Sequence, residues 1–233
     1  MAEYRIGHGW TDAELLDRLR ALEGLGRNFV EDDDMMTGER GWNRYRSDAL
    51  LTTERPGLPV NDGPFERGWL AMRSFQFSDP SIVTAHFDPE APLLGRRMLL
   101  EVKVLGLHYL NGTVVTDVKT ESTGGVTEYG FRYDTLDGHI ERGAEWFILS
   151  KEHESGEIRF SIRARWRAGD FPNWWSRAGF IFLAPRYQRR WHMRAHARLQ
   201  AIMRQPRMGL EPRGRIAHSG PEVVFTIERG IQA

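Results

Sequence analysis

The chain has 233 residues, with 32 basic side chains against 32 acidic ones and a formal net charge of zero, which argues against a surface built for nucleic acid or an anionic membrane. It contains no cysteine, so disulfides, thiolate nucleophiles, cysteine zinc sites and iron–sulfur clusters are excluded together. A hydrophobic content of 40% is enough for one sizeable core, and the absence of an apolar leader or of a run long enough for a membrane helix sets the expectation of a cytoplasmic protein with no membrane span.

Taken in order, Thr11-Asp12-Ala13-Glu14 is a capping box, and Leu15, Leu16, Leu19 and Leu22 follow at helical spacing until Gly24 and Gly26. From Asn28 to Asp62 the text is irregular and acidic, yet Phe29, Val30, Trp42, Tyr45, Leu50 and Leu51 are too apolar for a free linker. The segment reads as a lid packed on the domain, closing over a cavity through Trp42 and Tyr45. Its alternative is a dimerisation arm, which makes a homodimer the protein partner to test. Pro64 opens a second helix whose face is Phe65, Trp69, Met72 and Phe75 or Gln76, ended by Asp79-Pro80.

From Met98 the period falls toward two, with Leu100, Val102 and Val104 on one face and Glu101 and Lys103 on the other. Asn111-Gly112 is a hairpin signal joining that strand to Thr113–Glu121, and Gly124-Gly125 is a second turn. Tyr129, Phe131 and Tyr133 then alternate with Gly130 and Arg132, Asp137 and Gly138 break the strand, and Ala144 to Leu149 is β-rich again. Ile158, Phe160, Ile162, Ala164 and Trp166 alternate with Arg159, Ser161, Arg163, Arg165 and Arg167, a strand with one buried and one solvated face. Hairpins without intervening helices imply an antiparallel meander of about five strands. Trp174 to about Met203 is helical, with a kink or break expected at Pro185, and Val223, Phe225 and Ile227 alternate as an edge strand in this chain or in a partner. This divides the chain into an N-terminal helix with its lid or arm (1–62), an α+β ligand-binding domain (63–205) and a C-terminal tail (206–233).

The run Phe131-x-Tyr133-x-Thr135-Leu136-x-Gly138-His139-x-Glu141-x-Gly143-x-Glu145-x-Phe147 resembles the hallmark of the uncharacterised family "domain of unknown function nineteen-ninety". The resemblance extends from about Pro64 to about Leu199, through Leu94-Gly95-Arg96, Gly106-Leu107 and Gln188-Arg189-Arg190, and Asp134 stands where a usual member has glycine. It implies no particular reaction. In element order the chain is similar to START-like, helix-grip proteins, which implies an α+β fold: a curved antiparallel sheet on a long C-terminal helix, with the N-terminal helix and lid-like loop added.

The candidate chemistry sits in the same run. Glu145 shares the parity of Phe147 and Leu149, so a carboxyl group falls on an apolar face, where burial raises its pKa and suits it to acid or base work with His139 and Tyr133. The structural alternative is that Glu145 caps loop amides or pairs with Arg132. Tyr129, Phe131, Thr135, Trp42, Tyr45, Phe160, Tyr187 and Trp191 are the candidate ligand-binding residues. No metal site is expected: the loop offers one histidine, and His192-x-x-x-His196 has Met193 where a zincin has glutamate and reads as a solvated helix face. Arg186, Arg189, Arg190, Arg194, Arg198 and Arg204 read as an outward helix face rather than a nucleic-acid site. No phosphate loop, dinucleotide fingerprint or Gly-x-Ser-x-Gly occurs, so no cofactor is expected. Two functions follow: a cofactor-independent acid–base enzyme (cyclase, dehydratase or isomerase) acting on a hydrophobic small molecule, or a carrier that only binds one.

Overall fold

The computed structural model describes residues 3–205, 214–219 and 222–227. The fold is α+β: a large curved antiparallel sheet gripping a long C-terminal helix. Strand β1 (Glu3–Ile6) precedes helix α1 (Asp12–Ala21), whose Thr11 and Glu14 form the expected capping box. After three short 3-10 turns come β2 (Asn43–Thr53) and helix α2 (Pro64–Arg73), then six consecutive strands: β3 (Val83–Phe87), β4 (Arg97–Val104), β5 (Leu107–Thr123), β6 (Val126–Thr135), β7 (Glu141–Glu152) and β8 (Glu157–Ala168). Helix α3 (Trp174–Arg204) follows, and β9 (Gly214–Ser219) and β10 (Glu222–Ile227) close the described chain. The sheet order is β2-β8-β7-β6-β5-β4-β3-β10-β9, with β1 added to β5. The alternating stretch 222–227 therefore extends this chain's own sheet, Phe225 lying opposite Phe87. The rest of the tail, 206–213, 220–221 and 228–233, lies outside the described residues.

Three local expectations are corrected. The pair Asn111-Gly112 makes no turn: both residues sit inside the 17-residue strand β5, and the hairpin from β4 turns instead at Leu105 and Gly106, whose φ values of 51° and 79° suit a tight β-turn. Asn111 Oδ1 accepts from the Ile140 amide, so its side chain fastens the far loop rather than reversing the chain. Second, a strand that no periodicity marks, β3, precedes β4. It is a five-residue strand of buried side chains between two loops, too short to show a period.

Third, the segment 28–62 is not irregular throughout. Its middle is the long edge strand β2, paired with β8 from Asn43↔Trp166 to Thr53↔Glu157, and the period of two was hidden by polar inward residues such as Ser47. Trp42 packs with Phe29, Met36 and Ala144 on the face of the sheet away from α3. The stretch after β2 is pinned by the buried Lys151 ammonium, which donates to Glu54 and to the carbonyls of Arg55 and Leu58.

The core lies between the concave face of the sheet and the two larger helices. Phe131, Phe147, Leu149, Ile158, Phe160 and Ile162 project from the strands onto Phe65 and Met72 of α2 and onto Trp191, Ala195, Leu199 and Ile202 of α3. Helix α3 continues through Pro185 without a break in the element. Its two halves differ: the second is buried at every third or fourth residue, whereas the first leaves Trp174, Ile181 and Phe182 exposed. No described helix is long and apolar enough to cross a membrane.

Candidate functional site

Where the first half of α3 lifts off the sheet it roofs a cavity of about 360 Å³. That volume falls within the range of small-molecule sites. Helix α3 starts cleanly here because Asn173 Oδ1 accepts from the Ser176 amide at 2.8 Å. The walls are mostly aliphatic and aromatic, with Leu100, Val102 and Ile82 below and Phe180, Leu183 and Tyr187 above.

One end of the cavity is different. On β7, Glu141, Gly143 and Glu145 share a parity, so two carboxyl groups reach the same apolar space, and both line it. Tyr133 of β6 lies directly opposite Glu145 in the register, and its phenol donates to Glu145 Oε2 at 2.5 Å. Burial, and next the charge of Glu145, push the Tyr133 pKa well up, so it remains a donor. Burial, and next Glu145, also push Glu141 up to about 8, which leaves a carboxylic acid protonated at neutral pH. His139 is pushed down to about 3 by burial, and its Nδ1 accepts from the Glu141 amide at 2.8 Å. It is neutral, and its described bond fixes the backbone that carries Glu141.

Helix α3 supplies the remaining group. His192 is buried, with Nε2 3.3 Å from Glu145 Oε1. Its Nδ1 lies 2.7 Å from Ser47 Oγ, which also lies 2.8 Å from His196 Nε2. Glu145 does not pair with Arg132: that side chain is on the opposite face of the sheet, bonded to Asp134 and Asp33. Among the described residues no three His, Asp or Glu side chains come together to hold a metal ion.

The sequence profile described as "Domain of unknown function (DUF1990)" matches residues 33–198, from the turn before β2 to the last turns of α3. The chain belongs to the DUF1990 family. No curated protein matches it. Among solved structures, a hypothetical protein from Helicobacter pylori is similar at 10% identity with a TM-score of 0.48, covering 77% of this chain and 98% of that one. Ara h 8.0201 is similar at 8% identity and a TM-score of 0.42, with 70% and 98% covered. An uncharacterised protein from Rhizobium leguminosarum gives 13% and 0.31, with 70% and 97% covered.

Of the residues singled out from the sequence of this DUF1990 chain, Tyr133, His139, Glu145, Tyr187 and Trp191 line the cavity together. The others lie elsewhere. Tyr129 is wedged edge-on between Phe65 and Trp69 beneath α2, and Phe131 and Phe160 are fully packed in the core. Thr135 bonds Asn28 and Gly143, Trp42 is on the far face, and Tyr45 stands edge-on to the His192 ring at 4.6 Å, outside the cavity wall. The reading of His192 and His196 as a solvated face is overturned by the burial of His192 and by Ser47. Two signals for the missed residues were present. Glu141 has the parity of Glu145, and His192 follows Trp191 on a stripe, 187-191-195-199, that had to face the sheet.

Proposed function

We propose that this DUF1990 protein is a cofactor-independent acid–base enzyme, of cyclase, dehydratase or isomerase type, acting on a largely apolar small molecule. The observation that carries this reading is the pair of carboxyl groups from one strand at the polar end of an otherwise apolar cavity, placed in two different environments. Glu141 is an acid with a proton to give at neutral pH, pushed up to about 8. Glu145 accepts from Tyr133 and sits beside His192, which suits it to the role of base. Two like groups whose environments separate their proton affinities are the usual arrangement for paired acid–base work. In this reading Glu145 takes a proton from the carbon next to a carbonyl while Glu141 gives one to the carbonyl oxygen. The apolar walls exclude water and hold the substrate's hydrocarbon body.

The apolar walls alone also suit a carrier, and one experiment separates the two. Bicyclic aromatic ketones are incubated with the protein in deuterium oxide, exchange of the proton next to the carbonyl is followed by NMR, and binding is followed by tryptophan fluorescence. Exchange above the buffer rate is expected, falling at least about a hundredfold in Glu145→Gln with binding retained. Binding without any exchange by the wild-type protein would favour the carrier.

A further inference from the structure

We infer that Ser47 and His196 lock the tautomer of His192, so that its Nε2–H is aimed at Glu145 and the four residues form a directed chain ending on the candidate base. The inference deepens the acid–base reading and rests on it for its catalytic consequence.

The available protons fix the tautomer. A serine hydroxyl carries a single hydrogen, and Ser47 Oγ meets two imidazole nitrogens, His192 Nδ1 at 2.7 Å and His196 Nε2 at 2.8 Å. With both rings neutral it must therefore donate to one and accept from the other. If it donates to His192, the His192 proton is on Nε2, which faces a carboxylate oxygen at 3.3 Å as a charge–dipole contact and not a formed hydrogen bond, and His196 donates to Ser47 from Nε2. His196 Nδ1 is then a bare acceptor in a buried position without a partner.

If it donates to His196 instead, the bare Nε2 of His192 faces the lone pairs of Glu145, and a buried N–H on His196 Nδ1 has nothing to bond. The second arrangement leaves a lone-pair repulsion and an orphaned donor, where the first leaves an unfilled lone pair and an N–H held to the carboxylate by charge alone. Both rings must be neutral for the choice to exist. Burial holds the His196 ring down at about 4, so that ring is neutral at neutral pH.

Packing leaves little freedom to escape the arrangement. The His192 ring is held edge-on by Tyr45 at 4.6 Å and by Trp191 at 5.4 Å, and the His196 ring stands against Phe160 at 5.2 Å. Ser47 is set by its strand, opposite Ile162 of β8, which in turn is opposite Phe147 of β7, two residues along from Glu145. His192, Ser47 and His196 are not among the residues that line the cavity. His192 positions Glu145, and the other two position His192.

Long-range proton–nitrogen NMR correlations on labelled protein report each histidine tautomer directly. The expected result is Nε2–H for both His192 and His196 in the wild type, loss of the single tautomer at His192 in Ser47→Ala, and its return in Ser47→Thr, which restores the hydroxyl. In the ketone-exchange assay kcat is expected to fall about tenfold or more in Ser47→Ala at unchanged KM, and to recover in Ser47→Thr. A wild-type His192 protonated on Nδ1, or a Ser47→Ala variant with an unaltered tautomer and rate, would overturn the inference. A wild-type Nδ1–H tautomer at His192 overturns the lock even where a variant does not fold. A wild-type protein with the Nε2–H tautomers but no exchange would sink the acid–base reading and leave the lock standing.

Discussion

Phe160→Ala probes the packing that holds both the core and the site. Phe160 has 0% exposure, and its ring meets Phe77 at 5.5 Å and His196 at 5.2 Å, while its backbone lies between Leu149 of β7 and Ala49 of β2. Truncation removes a whole aromatic ring from a place where the sheet on one side and α3 on the other cannot both close in. The cost for such a deletion is roughly 3–5 kcal/mol. For a domain of this size, each kcal/mol lowers the melting temperature by roughly 2–4 °C, so a fall of roughly 6–20 °C is expected. Urea unfolding followed by circular dichroism should show a lower midpoint at an unchanged slope, as a loss of native stability requires. Leu50→Ala on the same sheet, at a side chain that is 43% exposed, is the control and should stay within about 0.5 kcal/mol. If Phe160→Ala melts within about 2 °C of the wild type, the concave face of β8 does not carry the core and the helix packing described above is wrong.

Two further substitutions address the site. The Glu141 carboxyl is raised in the folded state, so the stability it contributes is full below its ordinary value of 4.5 and is lost as pH rises through about 8. Unfolding free energies measured from about pH 5 to about pH 9 should therefore show wild type losing roughly 2–4 kcal/mol relative to Glu141→Gln, and parallel curves would refute the assignment. Gly143→Ala places a methyl group against the Arg165 carbonyl oxygen, where β7 and β8 approach too closely for any side chain. A loss of roughly 1–3 kcal/mol is expected by thermal unfolding, and an unchanged melting point would show that the strands can part there without cost.

The alternating strands were legible because one face of each is apolar and the other charged: Ile158, Phe160 and Ile162 against Arg159 and Arg163 leave only one register that buries the rings. The helices were legible for the same reason at a longer period. Strand β2 was not, since its inward face carries Tyr45, Ser47 and Ala49, small or polar groups whose partners are histidines rather than oil. Asn111-Gly112 misled because Gly112 serves packing and not a turn: the Leu22 side chain lies over it, 2.6 Å from where a Cβ would stand. Of the site, Glu145 and Tyr133 could be read from parity within adjacent strands. Local spacing says nothing of which strand edge a helix crosses, so the meeting of Ser47 with His192 across 145 positions was hidden.

The acid–base reading requires a cavity carboxylic acid that is still protonated at neutral pH, and Glu141 is that group. Carbon-13 NMR titration of the glutamate side-chain carboxyls, with Glu141 assigned by its loss in Glu141→Gln, tests it most directly. The account predicts that this resonance titrates near 8, against an ordinary value of 4.5. A Glu141 signal that titrates near 4.5 would contradict it.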